Sequence, residues 1–372
     1  MYKIDYKRIN MAETGTTKKK RKRIFYFDAL RALAIICVVM VHTVTINKYL
    51  IYNAYVGPTL SWIVSQIIYN PVRVGVLLFL MLSGALSLGR EWEIKPFLSK
   101  RIPRIVYPFA FWNIIFIIIF IILSFVGISH VVDAFDIGYL LNFAKGAFMG
   151  EVYGFNANWF FWMILGTYLI MPIFNRWLLH SDLKEAEYFL VFWLITCVFS
   201  FTLNMEFPIK LTYFVSPIGL VVCGYYLRYT ERKFLNNPYL ALVVLIIVSA
   251  ISTYIGYLRS DPTNISCFNR YSIFNTLIAI SLFIIFKNFS KFNLKVKFNA
   301  FRKLLSSLAK YSYGIYLVHY PLIFMSGYVL PKASMPYGLL IVVSICIGLF
   351  GSMAILAILN RVPYVNGIIG AK

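Results

Sequence analysis

The chain has 372 residues, of which 60% are hydrophobic and only 13% are charged, and its formal net charge is +22. Because a soluble domain is about a quarter charged, this composition excludes a soluble globular protein and indicates an integral membrane protein. The Lys and Arg residues lie between long apolar runs, where such residues set orientation and meet anionic headgroups. We therefore expect a lipid bilayer, and no nucleic acid, among the partners.

Ten apolar runs predict ten transmembrane helices, because a helix needs about 20 residues to cross the hydrocarbon core. A β-barrel would instead show alternating segments of about ten residues. The predicted fold class is an all-α, polytopic membrane helix bundle. The longest external segment, 128–157, predicts a short interfacial or re-entrant helix. The predicted spans are 24–46, 67–89, 104–127, 158–178, 187–204, 210–228, 238–257, 269–288, 311–330 and 336–359.

The distribution of positive charge predicts the orientation. Of the 36 Lys and Arg residues, 28 lie in segments on the N-terminal side of the membrane and 6 on the opposite side, with Arg31 and Arg73 inside spans. The positive-inside rule then places both termini in the cytoplasm. The predicted organisation is a basic cytoplasmic tail (1–23), a transmembrane domain (24–360) and a short cytoplasmic C-terminal tail (361–372).

The first span carries three polar side chains, Asp28, Arg31 and His42. Arg31 and His42 are 11 residues apart, which is roughly three turns, so they share one helix face about 16 Å apart along the axis. Asp28 lies one turn before Arg31 and can pair with it. We expect this stripe to face the bundle interior or a wet cavity, because such groups are costly in lipid. The alternatives are an Arg31 side chain that extends to the inner interface and a His42 that only links helices.

The segment "SKRIPRIVYP" places Arg101 and Arg104 one helical turn apart, with Pro103 between them at a predicted helix start. Two guanidinium groups at the cytoplasmic mouth of the bundle would suit a phosphate-bearing ligand. The alternative is ordinary positive charge on the cytoplasmic side.

The second predicted span contains one arginine, Arg73, near its outer end. Pairing with Glu151 or Asp136 is one option, and substrate binding is another. Ser83 and Gly84 in the same span predict a close approach of two helices, because small residues let backbones come together.

Two further residues are candidates for substrate binding. Trp159 follows Asn158 at an outer boundary, where an aromatic belt is the ordinary interpretation and a platform for a sugar ring is the functional one. His319 lies in the ninth span, before Pro321 and one turn after Tyr316, and either packs between helices or takes part in chemistry. We find no metal-ligand spacing, phosphate-binding glycine loop or nucleophile elbow, so no metal site is predicted.

Five segments of the sequence together resemble one family. In chain order they are "FDALRALAIICVVMVHT", "VGVLLFLMLSGALSLGREWEIKPFLSKRIPRIVYP", "WFFWMILGTYLIMP", "CGYYL" and "YSYGIYLVHYPLI". In this order they are similar to segments typical of the membrane-bound acyltransferase-3 family, which includes surface-polysaccharide O-acetyltransferases. The resemblance covers about residues 26–360, essentially the whole predicted membrane domain.

The resemblance implies ten core helices and transfer of an acyl group, usually acetyl, from cytoplasmic acyl-CoA to a glycan hydroxyl. It assigns the essential Arg and His of the family's first span to Arg31 and His42, and the family's arginine pair to Arg101 and Arg104. No bound cofactor is expected, with acetyl-CoA or another acyl-CoA as the donor substrate. The acceptor would be a glycan or lipid-linked saccharide, and the location the plasma membrane, as a multi-pass protein.

The first span then suggests a mechanism. The phosphates of CoA would stay at the cytoplasmic arginines, while the pantetheine arm reaches upward over about three helical turns toward His42. Neutral imidazole would act as general base toward an acceptor hydroxyl from outside, with an acyl-imidazole intermediate as a variant. The alternative function is a polysaccharide exporter without acyl-transfer chemistry, which predicts symmetric halves. We find no repeat between the halves.

Overall fold

The computed structural model describes residues 24–52, 60–129, 136–211, 214, 217–259, 266, 268–289, 299–330 and 335–371, except the side chains of 48–52 and 299. The described part of the chain is helical and contains no strand, which confirms the predicted all-α class. The predicted basic tail, 1–23, lies outside the described residues.

Thirteen α-helices follow one another along the described chain, with short 3₁₀ and π segments between some of them. Those that form the site are α1, α2, α3, α6 and α11. The helices are α1 (Phe25–Tyr52), α2 (Leu60–Val72), α3 (Gly75–Ser87), α4 (Ile94–Phe125), α5 (Ile137–Met149), α6 (Trp159–His180), α7 (Leu183–Val198), α8 (Ile218–Tyr229), α9 (Pro238–Arg259), α10 (Ile273–Lys287), α11 (Asn299–Met325), α12 (Tyr337–Cys346) and α13 (Ser352–Leu359).

Seven helical segments of the described chain are long and apolar enough to cross a membrane, so the predicted count of ten is not confirmed. Helices α8 and α10 coincide with predicted spans but have only 12 and 15 residues. Helix α11 has 27 residues, but its tyrosines and its histidine make it less apolar than the other long helices. The short helix expected within 128–157 is present as α5. The cytoplasmic location of the termini stays a prediction from the charge distribution.

The second predicted span is interrupted near its N-terminal end. Helix α2 stops at Val72, one residue after Pro71, and α3 begins at Gly75. Proline has no backbone N–H to donate, so it weakens the helix around it. The start of α3 also lies against α1, since a Cβ on Gly75 would come within 2.6 Å of the Ala34 carbonyl oxygen. The interruption leaves Arg73 in the turn between two helices.

Helices α3 and α8 pack very closely, and two glycines make this possible. A Cβ on Gly84 would lie 1.8 Å from the carbonyl oxygen of Val221, and a Cβ on Gly224 would lie 1.9 Å from that of Met81. The small-residue packing predicted from Ser83 and Gly84 is therefore present. Without a hydrophobic driving force between helices in lipid, such close backbone packing is a main source of association.

This contact predicts that Gly84→Ala and Gly224→Ala each destabilise the protein, because the added methyl groups push two backbones apart. Overpacking of a core costs about 1–3 kcal/mol, so the thermal unfolding temperature of the purified protein in detergent should fall in both variants. Gly166 in α6 has no atom within 4 Å of an added Cβ, and Gly166→Ala is the matched control. Equal unfolding temperatures for all three variants would contradict this account of the contact.

Candidate functional site

Two histidines from distant parts of the chain meet in the bundle. His42 on α1 and His319 on α11 approach within 2.7 Å, from Nδ1 of His42 to Nε2 of His319. Their rings are nearly parallel, at 15°, with centroids 5.0 Å apart. His319 is fully buried, whereas His42 is partly buried and lines a cavity. The two candidates from the first and ninth predicted spans therefore belong to one site.

The hydrogen bonds of this pair define which nitrogen atoms carry protons. Nδ1 of His319 lies 2.9 Å from the carbonyl oxygen of Ile315, which can only accept, so Nδ1 of His319 donates. In a neutral His319 ring the other nitrogen, Nε2, is then the acceptor, and Nδ1 of His42 donates to it. Neutral His42 consequently carries its lone pair on Nε2, the nitrogen that is not bonded to His319. That is the arrangement required of a general base.

His42 lines a cavity of about 290 Å³ between α1, the turn from α2 to α3, the start of α6, and α11. The 3₁₀ turn Asn156–Asn158 forms part of its wall. Two tyrosines of α11 bind this turn, since Tyr316 donates to the Ala157 carbonyl at 2.7 Å and Tyr320 to Asn156 Oδ1 at 3.3 Å. The tyrosines therefore attach one wall of the cavity to the helix that carries His319.

The turn is also tied to the neighbouring helices through a buried amide. The side-chain amide of Asn158 donates to Asn113 Oδ1 on α4 at 2.7 Å and to the carbonyl oxygen of Ala147 on α5 at 2.8 Å. Asn158 therefore holds the turn in place through its side chain. Asn113 was not predicted from the sequence, because a single Asn in an apolar helix carries no signal of its partner.

Two arginines line the same cavity. Arg73 lies in the turn between α2 and α3, with its guanidinium carbon 5.3 Å from the centre of the Tyr69 ring. Arg270 precedes α10, and its guanidinium carbon lies 3.6 Å from the centre of the Trp159 ring. Arg270 is exposed, and Arg73 is half-buried.

The pairing considered for Arg73 is not present. Asp136 accepts a hydrogen bond from the backbone N–H of Tyr139 as the N-cap of α5, and neither it nor Glu151 forms an ion pair with Arg73. Sequence reasoning missed Arg270 as a site residue. The sequence feature that could have identified Arg270 is its position on the side of the membrane where only six Lys and Arg residues are predicted.

The predicted cytoplasmic residues do not line this cavity. Arg31 lies 3.8 Å from Asp28, which confirms the ion pair expected at the start of α1. Arg101 donates to Ser87 Oγ at 2.9 Å and lies near the rings of Phe97 and Tyr168. Arg31 lies near the start of α1 and Arg101 beside the end of α3, and we define them together as a second region, outside the cavity.

Arg104 is exposed one turn further along α4 than Arg101. The prediction that Pro103 starts a helix is wrong, because α4 already begins at Ile94. Both arginines are therefore held on a formed helix.

Within the described residues, no group of three His, Cys, Asp or Glu side chains could hold a metal ion.

The profile of the acyltransferase-3 family, described as an acyltransferase domain, matches residues 24–360, which include every element of both regions. The chain belongs to the acyltransferase-3 family. It is a membrane acyltransferase with seven candidate membrane-spanning helices in the described chain. Comparison with curated proteins and with solved structures finds no match.

The histidine pair predicts that His319 positions His42 in this acyltransferase. In His319→Phe the Nδ1–H of His42 loses its acceptor, and a lost buried hydrogen-bond partner costs about 1–3 kcal/mol. We expect kcat to fall about ten- to a hundredfold with little change in the KM for the acyl donor. His319→Gln keeps a side-chain acceptor and should retain more activity. The control is His180→Gln, since His180 is exposed at the end of α6. A fall in the kcat of this control would contradict the positioning role of His319. Equal losses of kcat in His319→Phe and His319→Gln would contradict it as well.

Proposed function

We propose that this acyltransferase moves an acyl group, most simply acetyl, from cytoplasmic acyl-CoA to a hydroxyl of a surface or lipid-linked glycan. The observation that carries the proposal is the histidine pair: the His319 contact at 2.7 Å leaves the lone pair of His42 on Nε2, in a residue that lines a cavity. A base within reach of a bound hydroxyl is the group that transfer to an alcohol needs. The proposal includes a plasma-membrane location.

The donor side is the region at the start of α1. Arg31, Arg101 and Arg104 would hold the phosphates of CoA, which are too strongly charged to enter the bilayer. The ring contacts of Arg101 and its bond to Ser87 orient that guanidinium. The pantetheine arm would then extend along the bundle over the roughly 16 Å that separate Arg31 from His42 along α1. Arg31 thus acts in donor binding, away from the reacting atoms.

The chemical step would take place at the cavity. Nε2 of His42 accepts the proton of the acceptor hydroxyl, and the hydroxyl oxygen attacks the thioester carbonyl carbon. As the new C–O bond forms, the C–S bond breaks, and the proton on the imidazolium passes to the leaving sulfur of CoA. His42 returns to its neutral form, and the products are the ester and free CoA. The hydrogen bond to His319 keeps the His42 ring in one orientation throughout.

The acceptor side would be the cavity itself. Its volume of about 290 Å³ is at the small end of ligand pockets, which suits one sugar residue rather than a length of chain. Trp159 lines it, but Arg270 covers one face of the indole. A sugar would therefore use the remaining edges of Trp159 together with Tyr69 and Tyr320 of the same cavity.

The test of the general base is His42→Ala in proteoliposomes supplied with acetyl-CoA and an oligosaccharide acceptor. A positioned base contributes about a hundredfold or more, so the rate of ester formation, followed by mass spectrometry, should fall by at least about that factor. His180→Ala is the matched control, and both variants should insert and unfold like the parent. A His42→Ala variant with near-parent rates would overturn the proposed chemistry.

The donor assignment predicts different effects of lysine at two exposed cytoplasmic arginines. Arg104→Lys keeps the positive charge but loses the planar fork that binds a phosphate through two bonds. Removing one charge-assisted bond costs about 1.5–3 kcal/mol, so we expect the KM for acetyl-CoA to rise about ten- to a hundredfold. Arg361→Lys, at an exposed position after α13, is the control. An unchanged KM in Arg104→Lys would show that Arg104 serves only the charge bias of the cytoplasmic side.

A further inference from the structure

The segment that follows α13 returns into the bundle. Residues 361–371 lie outside the region, 24–360, that the family profile matches, and the sequence predicted only a short cytoplasmic tail there. Tyr364 is exposed, but Ile369 is completely buried and belongs to the main apolar core. The chain therefore leaves α13 along the surface and then turns inward. We call the inward part, residues 365–371, the strap.

The strap lies between α4 and α11. The indole N–H of Trp112 on α4 donates to the carbonyl oxygen of Ile369 at 3.2 Å. On α11, a Cβ on Gly314 would lie 2.8 Å from the same oxygen, and a Cβ on Gly370 would lie 3.1 Å from the Gly314 nitrogen. Gly370 has a φ of 80°, a conformation that favours glycine. Two glycines and one indole thus make room for non-helical backbone inside the bundle.

The position of the strap coincides with the proposed route of the acyl donor. Trp112 follows Arg101 by 11 residues on α4, so the two share a helix face about 16 Å apart along the axis. Gly314 precedes His319 by five residues on α11, which is about 7.5 Å. Along the helix axes, Ile369 therefore lies between an arginine proposed to bind CoA and the histidine pair.

The strap is also close to the cavity. A Cβ on Gly370 would lie 3.1 Å from Cδ1 of Tyr313, and the ring of Tyr313 stacks on that of Tyr316 with centroids 5.9 Å apart. Tyr316 lines the cavity. The hydroxyl of Tyr313 donates to the carbonyl oxygen of Ile105 on α4 at 2.7 Å. The strap and Tyr313 together therefore link α4 to α11 between the cavity and the donor arginines.

Few attachments hold the strap. Among the described residues, Trp112 provides the only hydrogen bond from another helix to this segment. The bond from the Ile368 N–H to the Val365 carbonyl, at 3.0 Å, is internal to the strap. The remaining hold is the burial of Ile369, with partial burial of Val365 and Ala371. A unit with so few contacts can open locally while the helices around it keep their packing.

We propose that the strap closes the donor route, and that acyl-CoA binds by displacing it, with the pantetheine arm in the space that Ile369 leaves. The conformation described above is the closed one. The inference rests on the proposed function, because it concerns how the donor of that reaction enters. Closure lowers the apparent affinity for CoA in proportion to the fraction of molecules that are open. A weaker strap should therefore bind CoA more tightly.

Hydrogen exchange tests this movement in the unmodified protein. The protein is placed in lipid nanodiscs, with and without saturating CoA, and deuterium uptake of peptides from 361–371 is followed by mass spectrometry. We expect CoA to speed exchange in the strap, because the backbone of Ile369 and Gly370 leaves the core. A peptide from α8 is the reference and should not change. Unchanged or slower exchange of the strap with CoA bound would contradict its displacement.

Two variants weaken closure in different ways, and calorimetry with CoA measures the result. Trp112→Phe removes the hydrogen bond to the strap and should lower the Kd for CoA about two- to tenfold. Ile369→Ala removes most of the buried side chain and should lower the Kd at least about tenfold. A role of the strap in stability alone would instead leave the Kd unchanged or raise it.

Two controls accompany these variants. Gly367→Ala lies in the strap, but no atom lies within 4 Å of the added Cβ, so its Kd should match that of the parent. Gly224→Ala overpacks the contact between α8 and α3, away from the strap. It should lower the unfolding temperature without lowering the Kd, which separates strap opening from general loss of stability.

The outcomes separate this inference from the proposed function. A Kd for CoA that does not fall in either Trp112→Phe or Ile369→Ala overturns the closing role, and ester formation by the parent then leaves the proposed transfer standing. Tighter CoA binding in both variants, without ester formation from acetyl-CoA in any form of the protein, supports the strap and overturns the proposed reaction. No CoA binding to the parent or to either variant overturns both the strap and the donor assignment.

Discussion

Hydrocarbon offers no hydrogen-bond partners, so a polar group within a membrane bundle has to be satisfied by the protein or by water in a cavity. The contact between His42 and His319 meets this requirement and organises the site. It joins α1 to α11, residues 277 positions apart in the chain. Because the Ile315 carbonyl occupies the remaining nitrogen of His319, the pair has only one arrangement when both rings are neutral. The same bonds that make two imidazoles tolerable inside the bundle thus leave one basic nitrogen available.

Two of the irregular backbone segments of the bundle lie where this cavity is formed. Helical structure is interrupted between α2 and α3 at Arg73, and a 3₁₀ turn precedes α6 at Asn156–Asn158. Non-helical backbone within a membrane protein is tolerated where it lines a cavity or is buried in protein. Here the turn is held by Tyr316, Asn113 and Ala147. The cavity wall is therefore irregular in conformation but held by well-defined hydrogen bonds.

The positive charges of the molecule fall into two groups with different surroundings. Arg31 and Arg101 have their own protein partners, a carboxylate for one and a hydroxyl with two rings for the other. Arg73 and Arg270 line the cavity and lie over aromatic rings. The function proposed above assigns the donor to one of these regions and the acceptor to the other. Helix α1 carries Arg31 near its start and His42 in its C-terminal half.

Much of the architecture could be predicted from the sequence, because hydropathy is a local property. The apolar runs predicted a helical membrane bundle, the i, i+3 spacing predicted the pair of Asp28 and Arg31, and Ser83–Gly84 predicted a close helix contact. The count of ten spans is not confirmed, since α8 and α10 are short and α11 is rich in tyrosine and contains a histidine. The start of α4 was misplaced because Pro103 is accommodated inside a helix.

The site depended on contacts between residues far apart in the chain, which a sequence alone does not contain. His42 and His319 were each recognisable as costly groups in a membrane, but only the packing of α11 against α1 shows that they share a hydrogen bond. Arg270 looked like an ordinary loop residue until the tertiary structure placed it over Trp159. Composition and spacing therefore determined which residues had to avoid lipid, because the free-energy cost of placing a polar side chain in hydrocarbon applies to each residue separately. The tertiary structure decided which of those residues meet, because a partner is defined by distance in space.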